Sequence, residues 1–388
     1  MSGSRGRFGT AAGGHRPPRA PWSCGVAAVL AMVLAGCASD RPDPTPLETY
    51  EPKISGRQVW QLQMADLTFP LVPTVRDGVF FVADSRGTVV ALQAEDGALR
   101  WRAELNEPLS AGVGSDGRYA SVVTRGNEVV VLDQGRELWR KRVASTVVTP
   151  PLVAGERVFV MGVDRAVHAF DVLDGRRLWS VQRPGDALTL AQASVVAPFG
   201  NSLLVAQSAR LAALDPLQGQ LQWEVPMATP RGTNEVERLA DLVGPAVRVG
   251  DRVCARAFQS AVACADARLG SLLWSRNVGG GNAVAADPER VYGADASDRI
   301  TAWRADNGDV AWTSERMLFR SLSGPLAAGP VVVFGDGQGW VHFLSTADGQ
   351  LQLRLPTDGS AVVGTPALSG STMLVMTRKG GLYAFRPQ

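Results

Sequence analysis

Two cysteines in the second half of the chain have a spacing that could support a covalent bond. Cys254 and Cys264 lie in the apolar stretches 253–257 and 261–265, which are typical of two strands joined by a turn near Gln259. In such a hairpin the two thiols face each other, so a disulfide fits the geometry in an oxidising compartment. Two packed free thiols fit the same pattern, and the sequence leaves both states open.

Other residues that could catalyse a reaction or bind a metal are few. His168 and His342 occupy the same place in two copies of a repeat, so we expect them to lie too far apart to share a metal and to have structural roles. The glycine-rich stretch 335–339 lies between two strands, which predicts a hairpin turn and not a nucleotide loop. The sequence contains no Gly-x-Ser-x-Gly, Gly-Lys-Ser/Thr or Cys-x-x-Cys motif. We therefore predict no catalytic residue, no metal site and no cofactor.

The N-terminus has the organisation of a secretory signal. Basic residues without any acidic residue precede an apolar run, 25–35, that is shorter than the roughly 20 residues needed to span a bilayer. The run ends in Leu-Ala-Gly before Cys37, which resembles the bacterial lipobox. The resemblance implies that residues 1–36 are removed and that Cys37 carries lipid. An Asp after this cysteine favours retention at the inner membrane; Ala38 stands there instead, which implies the outer membrane.

Residues 38–53 are rich in proline and acidic residues, which predicts a flexible, solvated tether after Cys37. Loss of residues 1–36 removes four of the 39 basic residues and none of the 37 acidic ones, so the mature chain is nearly neutral. It has no long basic block, which excludes a nucleic-acid partner. The predicted organisation is a signal peptide at 1–36, a lipidated cysteine with its tether at 37–53, and one domain at 54–388.

The domain repeats a sequence motif that consists of a pair of small or aliphatic residues, a turn with glycine, and a tryptophan. The copies are spaced by about 40 residues of short strands, which is the period of four-stranded propeller blades. The eight repeat positions are Trp60, Trp101, Trp139, Trp179, Trp223, Trp274, Trp312 and Leu353. Their regular placement predicts that these side chains pack between blades and do not bind a ligand.

The last repeat lacks its own outer strand, because only three strands, near 365–368, 372–377 and 382–385, follow Leu353. The strand around Trp60 supplies the missing one, which closes the ring and removes its free edges. The predicted fold is therefore all-β. It is an eight-bladed β-propeller of four-stranded antiparallel blades, closed by pairing the N-terminal strand with the C-terminal blade.

The repeated motif resembles the repeat of pyrroloquinoline-quinone-type propellers. Together with the lipobox, the acidic tether and the eight blades, it resembles the BamB family of lipoproteins of the outer-membrane β-barrel assembly (BAM) machinery. The resemblance implies a non-catalytic, lipid-anchored scaffold on the periplasmic face of the outer membrane. Its implied partners are the POTRA domains of BamA, other BAM lipoproteins and unfolded outer-membrane proteins. A periplasmic quinoprotein-like enzyme and a ligand-binding or sensor propeller are the alternatives.

Two stretches carry the family's docking pattern, and the resemblance implies that they contact BamA. The matching residues are Leu188, Leu190, Glu235, Glu237, Arg238, Leu239 and Asp241. Two positions depart from the pattern: Ala191 replaces a common arginine, and Val243 replaces an acidic residue. An ordinary inner strand for the two leucines and a solvated loop for the charges are the alternatives.

Overall fold

The computed structural model describes residue 14 and residues 42–69, 72–183 and 188–388. Cys37 lies outside the described residues, as does nearly all of the predicted signal peptide, so their roles stay predictions. Every regular element of the described residues is a β-strand. In the same part of the chain, no helix has the length and apolar character to cross a membrane.

Eight sheets of four antiparallel strands make up the domain, as the repeat predicts. In seven of them the strands follow one another along the chain and are called A, B, C and D from the axis outwards. The middle strands are apolar and almost wholly buried, as in the run Val-Phe-Phe-Val-Ala of the first blade, because neighbouring blades cover both of their faces. The first strand of the described residues, β1 (Gly56–Gln63), belongs to the last blade.

The remaining strands are given blade by blade. Blades one to four comprise β2 (Thr74–Arg76), β3 (Val79–Ala83), β4 (Thr88–Gln93) and β5 (Leu99–Glu104); β6 (Gly114–Ser115), β7 (Tyr119–Val123), β8 (Glu128–Asp133) and β9 (Arg136–Arg142); β10 (Leu152–Ala154), β11 (Arg157–Met161), β12 (Val167–Asp171) and β13 (Arg177–Val181); β14 (Val196–Phe199), β15 (Ser202–Gln207), β16 (Arg210–Leu214) and β17 (Leu221–Pro226). Blades five to eight comprise β18 (Leu242–Val249), β19 (Arg252–Ala257), β20 (Ala261–Asp266) and β21 (Ser271–Asn277); β22 (Ala285–Ala286), β23 (Arg290–Ala294), β24 (Ile300–Arg304) and β25 (Val310–Ser314); β26 (Leu326–Ala328), β27 (Val331–Gly335), β28 (Trp340–Ser345) and β29 (Leu351–Pro356); β30 (Val362–Ser369), β31 (Thr372–Thr377) and β32 (Gly381–Pro387).

The two ends of the domain close the ring. The A strands touch their neighbours in a cycle that runs from β2 through the first strand of each blade to β30 and back to β2. β1 pairs antiparallel with β32, from Gly56 opposite Pro387 to Gln63 opposite Gly381. The eighth blade therefore has the order β1-β32-β31-β30, and the predicted eight-bladed, closed propeller is confirmed.

The repeat tryptophans pack between blades, as predicted. Each lies on a D strand, and its ring covers the glycine in the C–D turn of the next blade, as the ring of Trp312 covers Gly349. The indole N–H of Trp312 donates to the carbonyl of Thr346 in the same turn at 2.9 Å. The ring is half-buried and its only polar group is bonded, so the contact is favourable. The same bond to a C–D turn carbonyl is made by Trp60, Trp139, Trp179 and Trp274.

Leu353 replaces tryptophan where the neighbouring blade has no C–D turn. The outer strand of blade eight is β1, which comes from the other end of the chain, so no hairpin connects it to β32. Leu353 faces Gly56 at the start of β1 instead. An indole at this position would lack the turn carbonyl that accepts its N–H elsewhere, and an aliphatic side chain needs no such acceptor.

Strand direction sorts the loops onto two faces of the ring. The D–A connections and B–C turns lie on one face, called here the D–A face, and the A–B and C–D turns lie on the opposite C–D face. The connections 182–195 and 227–241 follow the D strands β13 and β17. Both predicted docking stretches therefore lie on the D–A face.

The segment just before β1, residues 45–53, is called the strap. It differs from the solvated tether that its composition predicts. Lys53 bonds through its backbone to the outer strand of blade seven, and Thr45 bonds to the connection that precedes this blade. Tyr50, between them, packs against a core cluster of blades six and seven. Proline favours the extended backbone that can follow a neighbouring strand in this way.

Candidate functional site

The two predicted docking stretches meet on the D–A face. Leu188 and Leu190 lie in the connection between blades three and four, outside any regular element, and both are half-buried. The inner strand of blade four begins only at Val196. The leucines are therefore loop residues, and the alternative of an inner strand is wrong.

Asp241 joins this leucine loop to the second stretch. Its carboxylate accepts the backbone N–H of Leu190 at 2.7 Å and lies 3.6 Å from the guanidinium of Arg165. Arg165 in turn donates to the carbonyl of Leu188 at 3.2 Å. Asp241 is 9% exposed, so its carboxylate positions the leucine loop, whereas the family pattern places it among the contact residues.

The second stretch forms a turn that its own side chains close. The carboxylate of Glu237 accepts the N–H of Thr233 at 2.7 Å, and the N–H of Glu237 donates to the side-chain oxygen of Asn234 at 2.9 Å. The bonds from Thr233, the backbone N–H first and the hydroxyl next, lower the pKa of the Glu237 carboxyl. Glu237 therefore holds the turn in shape through contacts within the loop.

The side chains at the tip of this turn point into solvent. Glu235, Val236 and Arg238 are exposed, and Leu239 is half-buried. Val236 is 72% exposed, the highest value for a large apolar side chain among the described residues. An apolar residue between two acidic ones in a turn is a signal that the sequence reasoning passed over.

Two further residues change the electrostatics expected of the site. Val243, which stands where the family has an acidic residue, is 1% exposed in β18, so this position contributes packing in place of charge. Arg165 adds a cation beneath the leucine loop. The sequence reasoning missed it because its partner Asp241 is far away along the chain and no local motif links the two.

Cys254 and Cys264 are joined by a disulfide. They are direct partners across β19 and β20, and the turn between these strands contains Gln259, as the sequence pattern indicates. Both cysteines are buried in a core cluster shared by blades five and six. The bond cross-links one hairpin of blade five and does not constrain the exposed loops.

The two histidines lie at equivalent places in blades three and seven, on opposite sides of the ring. His342 is fully buried, with its Nε2 atom 3.0 Å from the carboxylate of Asp336. The same carboxylate binds the guanidinium of Arg320 at 2.6 Å. Asp336 lies in the hairpin turn predicted between two strands. Within the ranges that the structure describes, no group of three or more His, Cys, Asp or Glu residues could hold a metal ion.

Two cavities open on the D–A face. One of about 40 Å³ lies between the two docking loops, lined by Thr189, Leu190 and Asp241, and has room for little more than water. The other, of about 580 Å³, lies at the centre of the ring, with Asn282 and Arg378 among its lining residues. The docking loops are thus packed against each other, and their shared outer surface suits a macromolecule better than a small ligand.

Comparison with known proteins identifies the family. The profile for outer membrane protein assembly factor BamB matches residues 48–110 and 85–314. The chain belongs to the BamB family. Outer membrane protein assembly factor BamB of Burkholderia pseudomallei is 34% identical over 376 residues, which covers 95% of this chain and 98% of that protein.

Solved structures resemble the whole propeller. The BamB crystal structure from Moraxella catarrhalis superimposes with a TM-score of 0.76 at 21% identity, covering 86% of this chain and 100% of that one. Quinohemoprotein alcohol dehydrogenase from Comamonas testosteroni gives a TM-score of 0.65 at 15% identity, covering 85% and 76%. At these identities both likenesses show the fold alone, and membership of the BamB family comes from the sequence matches.

Proposed function

We propose that this protein is a non-catalytic scaffold subunit of the outer-membrane β-barrel assembly machinery, which docks the POTRA domains of BamA with its D–A face. The observation that carries the proposal is the hydrogen bond from the N–H of Leu190 to the carboxylate of Asp241. It links the leucine loop to the connection that contains the turn at 233–239, so that the two form one surface. A surface assembled before the partner arrives loses less conformational entropy on binding.

The composition of this surface suits a protein partner. Leu188 and Leu190 provide apolar area, and the exposed Val236 extends it. Glu235 and Arg238 stand beside them as rim charges. An apolar centre with a charged rim is typical of protein interfaces, and rim charges govern register and association rate more than affinity.

Lipid on Cys37 would hold the scaffold at the periplasmic face of the outer membrane. Confinement to a membrane raises the effective concentration of a partner in the same membrane without any new contact. The names of the relatives, which describe assembly factors, support this role. Other BAM lipoproteins and unfolded outer-membrane proteins are further partners under the same proposal.

Calorimetric titration of the lipidated full chain in micelles with BamA POTRA domains from the same cell tests the proposal. We expect saturable binding that the double variant Val236→Ser, Arg238→Ala weakens by about 3- to 30-fold, which corresponds to the loss of one apolar and one charged rim contact. The matched control is Arg268→Ala, an exposed arginine in a C–D turn on the opposite face, and it should bind as the parent does.

Each outcome of the titration separates two parts of the proposal. No binding at high micromolar concentration would refute BamA docking altogether. Binding that Arg268→Ala weakens as strongly as the double variant would refute the assignment of the D–A face, while leaving BamA as the partner.

A further inference from the structure

The strap follows the outer strand of blade seven. Near the C–D face, the N–H of Lys53 donates to the carbonyl of Gln352, at the start of β29, at 2.9 Å. Further along β29, the hydroxyl of Tyr50 accepts the N–H of Arg354 at 2.6 Å. Because β29 runs from the C–D turn towards the D–A face, the strap leads the chain across the edge of the blade from one face towards the other.

The N-terminal end of the strap is bonded on the D–A face. The N–H of Thr45 donates to the carbonyl of Leu318 at 3.0 Å, and its own carbonyl accepts an N–H of Arg320 at 2.8 Å. Both partners lie in the D–A connection between β25 and β26. Glu48 pairs with Arg316 of the same connection at 3.1 Å, an exposed contact that adds little binding energy.

The strap also completes the hydrogen bonding of a buried cation. Arg320 is 3% exposed, and its guanidinium binds Asp336 at 2.6 Å and the side chain of Gln338 at 2.7 Å. The carbonyl of Thr45 accepts a further N–H of the same group. A buried N–H without an acceptor is unfavourable, so Arg320 favours the docked strap over a solvated one.

We propose that the strap fixes the exit point of the membrane tether on the D–A face and so orients the ring with that face towards the lipid surface. The proposal rests on the lipidation of Cys37 that belongs to the proposed function. A fully extended chain spans at most about 3.5 Å per residue, so a free tether from Cys37 to Lys53 would reach about 55 Å. The docked strap leaves eight residues before Thr45, which reach about 28 Å.

The docked strap biases the orientation because it moves the start of the tether to the D–A face and shortens its reach. A blade strand of five to seven residues is about 20 Å long, so a tether of about 55 Å lets either face approach the membrane. A tether of about 28 Å that starts on the D–A face gives that face the whole reach, whereas about 20 Å of it runs back over the blade before the C–D face can approach the bilayer. The docking loops share the D–A face, so a POTRA domain bound there lies on the membrane side of the ring.

Energy transfer to labelled lipid tests the orientation in the lipidated full chain, reconstituted in vesicles of phosphatidylethanolamine and phosphatidylglycerol. A donor dye is placed by Ala296→Cys on the D–A face or by Asp306→Cys on the C–D face of the same blade; both positions are exposed. We expect higher transfer from position 296 than from position 306. The variant Tyr50→Ala, Lys53→Pro removes two strap contacts and should make the two efficiencies converge, whereas the control Glu51→Ala should preserve the difference.

Hydrogen exchange on the same samples tests whether the strap is docked, independently of whether Cys37 is lipidated. We expect the amides of Thr45 and Lys53 to be protected in the parent. The amide of Thr45 should exchange at least about tenfold faster in the Tyr50→Ala, Lys53→Pro variant, which has no N–H at residue 53. Equal transfer from both dyes with protected amides would overturn the orientation alone, and unprotected amides would overturn the strap. If the parent chain, like the Cys37→Ser variant, fails to sediment with vesicles, the lipid anchor of the proposed function is refuted, and the proposed orientation is refuted with it.

Discussion

A buried carboxylate beneath a loop acts on a partner only through that loop, because the partner cannot reach it. Asp241 accepts the N–H of Leu190 and faces Arg165, so its charge is already engaged within the protein. Hydrogen bonds to an ionised group are roughly twice as strong as neutral ones. The conformation of the leucine loop therefore depends on a side chain from the next D–A connection along the chain.

We expect Asp241→Ala to lower the free energy of unfolding by about 1–3 kcal/mol, because it removes the acceptor that Leu190 and Arg165 share. Glu235→Ala, an exposed change on the same loop, should change the free energy of unfolding by less than about 0.5 kcal/mol. Urea unfolding of both variants measures the difference. Equal stability of the two variants would contradict the positioning role of Asp241.

His342 couples the stability of blade seven to pH. Burial, and then the nearby Arg354 and Arg320, lower the pKa of His342, while the hydrogen bond to Asp336 opposes them. Burial acts to raise the pKa of Asp336, but bonds from His342, from the N–H of Trp340 and from Arg320 outweigh it and lower that pKa. The folded protein thus holds a neutral histidine beside a carboxylate.

Acidification should destabilise the protein through His342. Its folded pKa is depressed, so the unfolded chain takes up a proton first, and stability is lost as the pH falls below about 6.5, the ordinary pKa of histidine. We expect a loss of up to about 1.4 kcal/mol per pH unit in that window, which His342→Gln reduces because glutamine does not titrate. Urea midpoints between pH 7.5 and 5 measure the loss. Burial also lowers the pKa of the half-buried His168, so His168→Gln should reduce the loss too, but by less than His342→Gln. Parallel curves for parent and His342→Gln would refute this coupling.

At the scale of elements, the contact between each D-strand tryptophan and the next C–D turn requires glycine. A Cβ on Gly349 would lie 2.7 Å from the ring of Trp312, at a backbone φ of +72°. Gly370 has a similar φ of +58°, but a Cβ there meets no atom within 4 Å. The two positions therefore separate backbone strain from the loss of ring packing.

We expect Gly370→Ala to cost about 1–2 kcal/mol of unfolding free energy from its left-handed backbone alone. Gly349→Ala should cost about 1–3 kcal/mol more, because the ring of Trp312 must also move. Thermal unfolding, with tryptophan fluorescence as the probe, compares the two. If Gly349→Ala is no worse than Gly370→Ala, the ring contact contributes little to the joint between blades.

The hairpin of blade five offers a second test at this scale. We expect neither Cys254 nor Cys264 to be alkylated in the denatured chain without reductant. Reduction should then lower the unfolding free energy by about 2–3 kcal/mol, which is the chain-entropy effect of releasing a cross-link of this length, since the two residues are 10 apart. Mass spectrometry after alkylation checks the first expectation, and two labelled cysteines without reductant would contradict it.

The sequence predicts the blades because the signals that build them are local and recur. Turn glycines, alternating apolar residues and a tryptophan, or Leu353 in its place, define each repeat. The three strands predicted near 365–368, 372–377 and 382–385 correspond to β30, β31 and β32. The strap and the tie between Arg165 and Asp241 were not predictable in the same way. Both depend on residues that are distant in the chain, as Thr45 is from Arg320, and no local pattern records such a pairing.

At the scale of the whole molecule, stability depends on a strand that comes from the opposite end of the domain. β1 covers the edge of β32 along its full length, and Trp60 of β1 packs on Phe80 with 6.3 Å between ring centroids. Its indole N–H also donates to the carbonyl of Ala94 at 3.0 Å. β1 thus completes blade eight and joins it to blade one, so its loss breaks the ring at two places.

We expect a chain that begins at residue 64 to lose cooperative unfolding and to aggregate, because it exposes the edge of β32 and the apolar surface under Trp60. A chain that begins at residue 44 keeps the strap and β1 and should melt as the mature protein does. Thermal unfolding and size-exclusion chromatography of the two truncations measure the effect. A synthetic peptide of residues 54–63 should restore a monomeric species to the shorter chain, since an extended strand can add to a free sheet edge. A shorter chain that is monomeric and equally stable without the peptide would show that the ring holds together without β1.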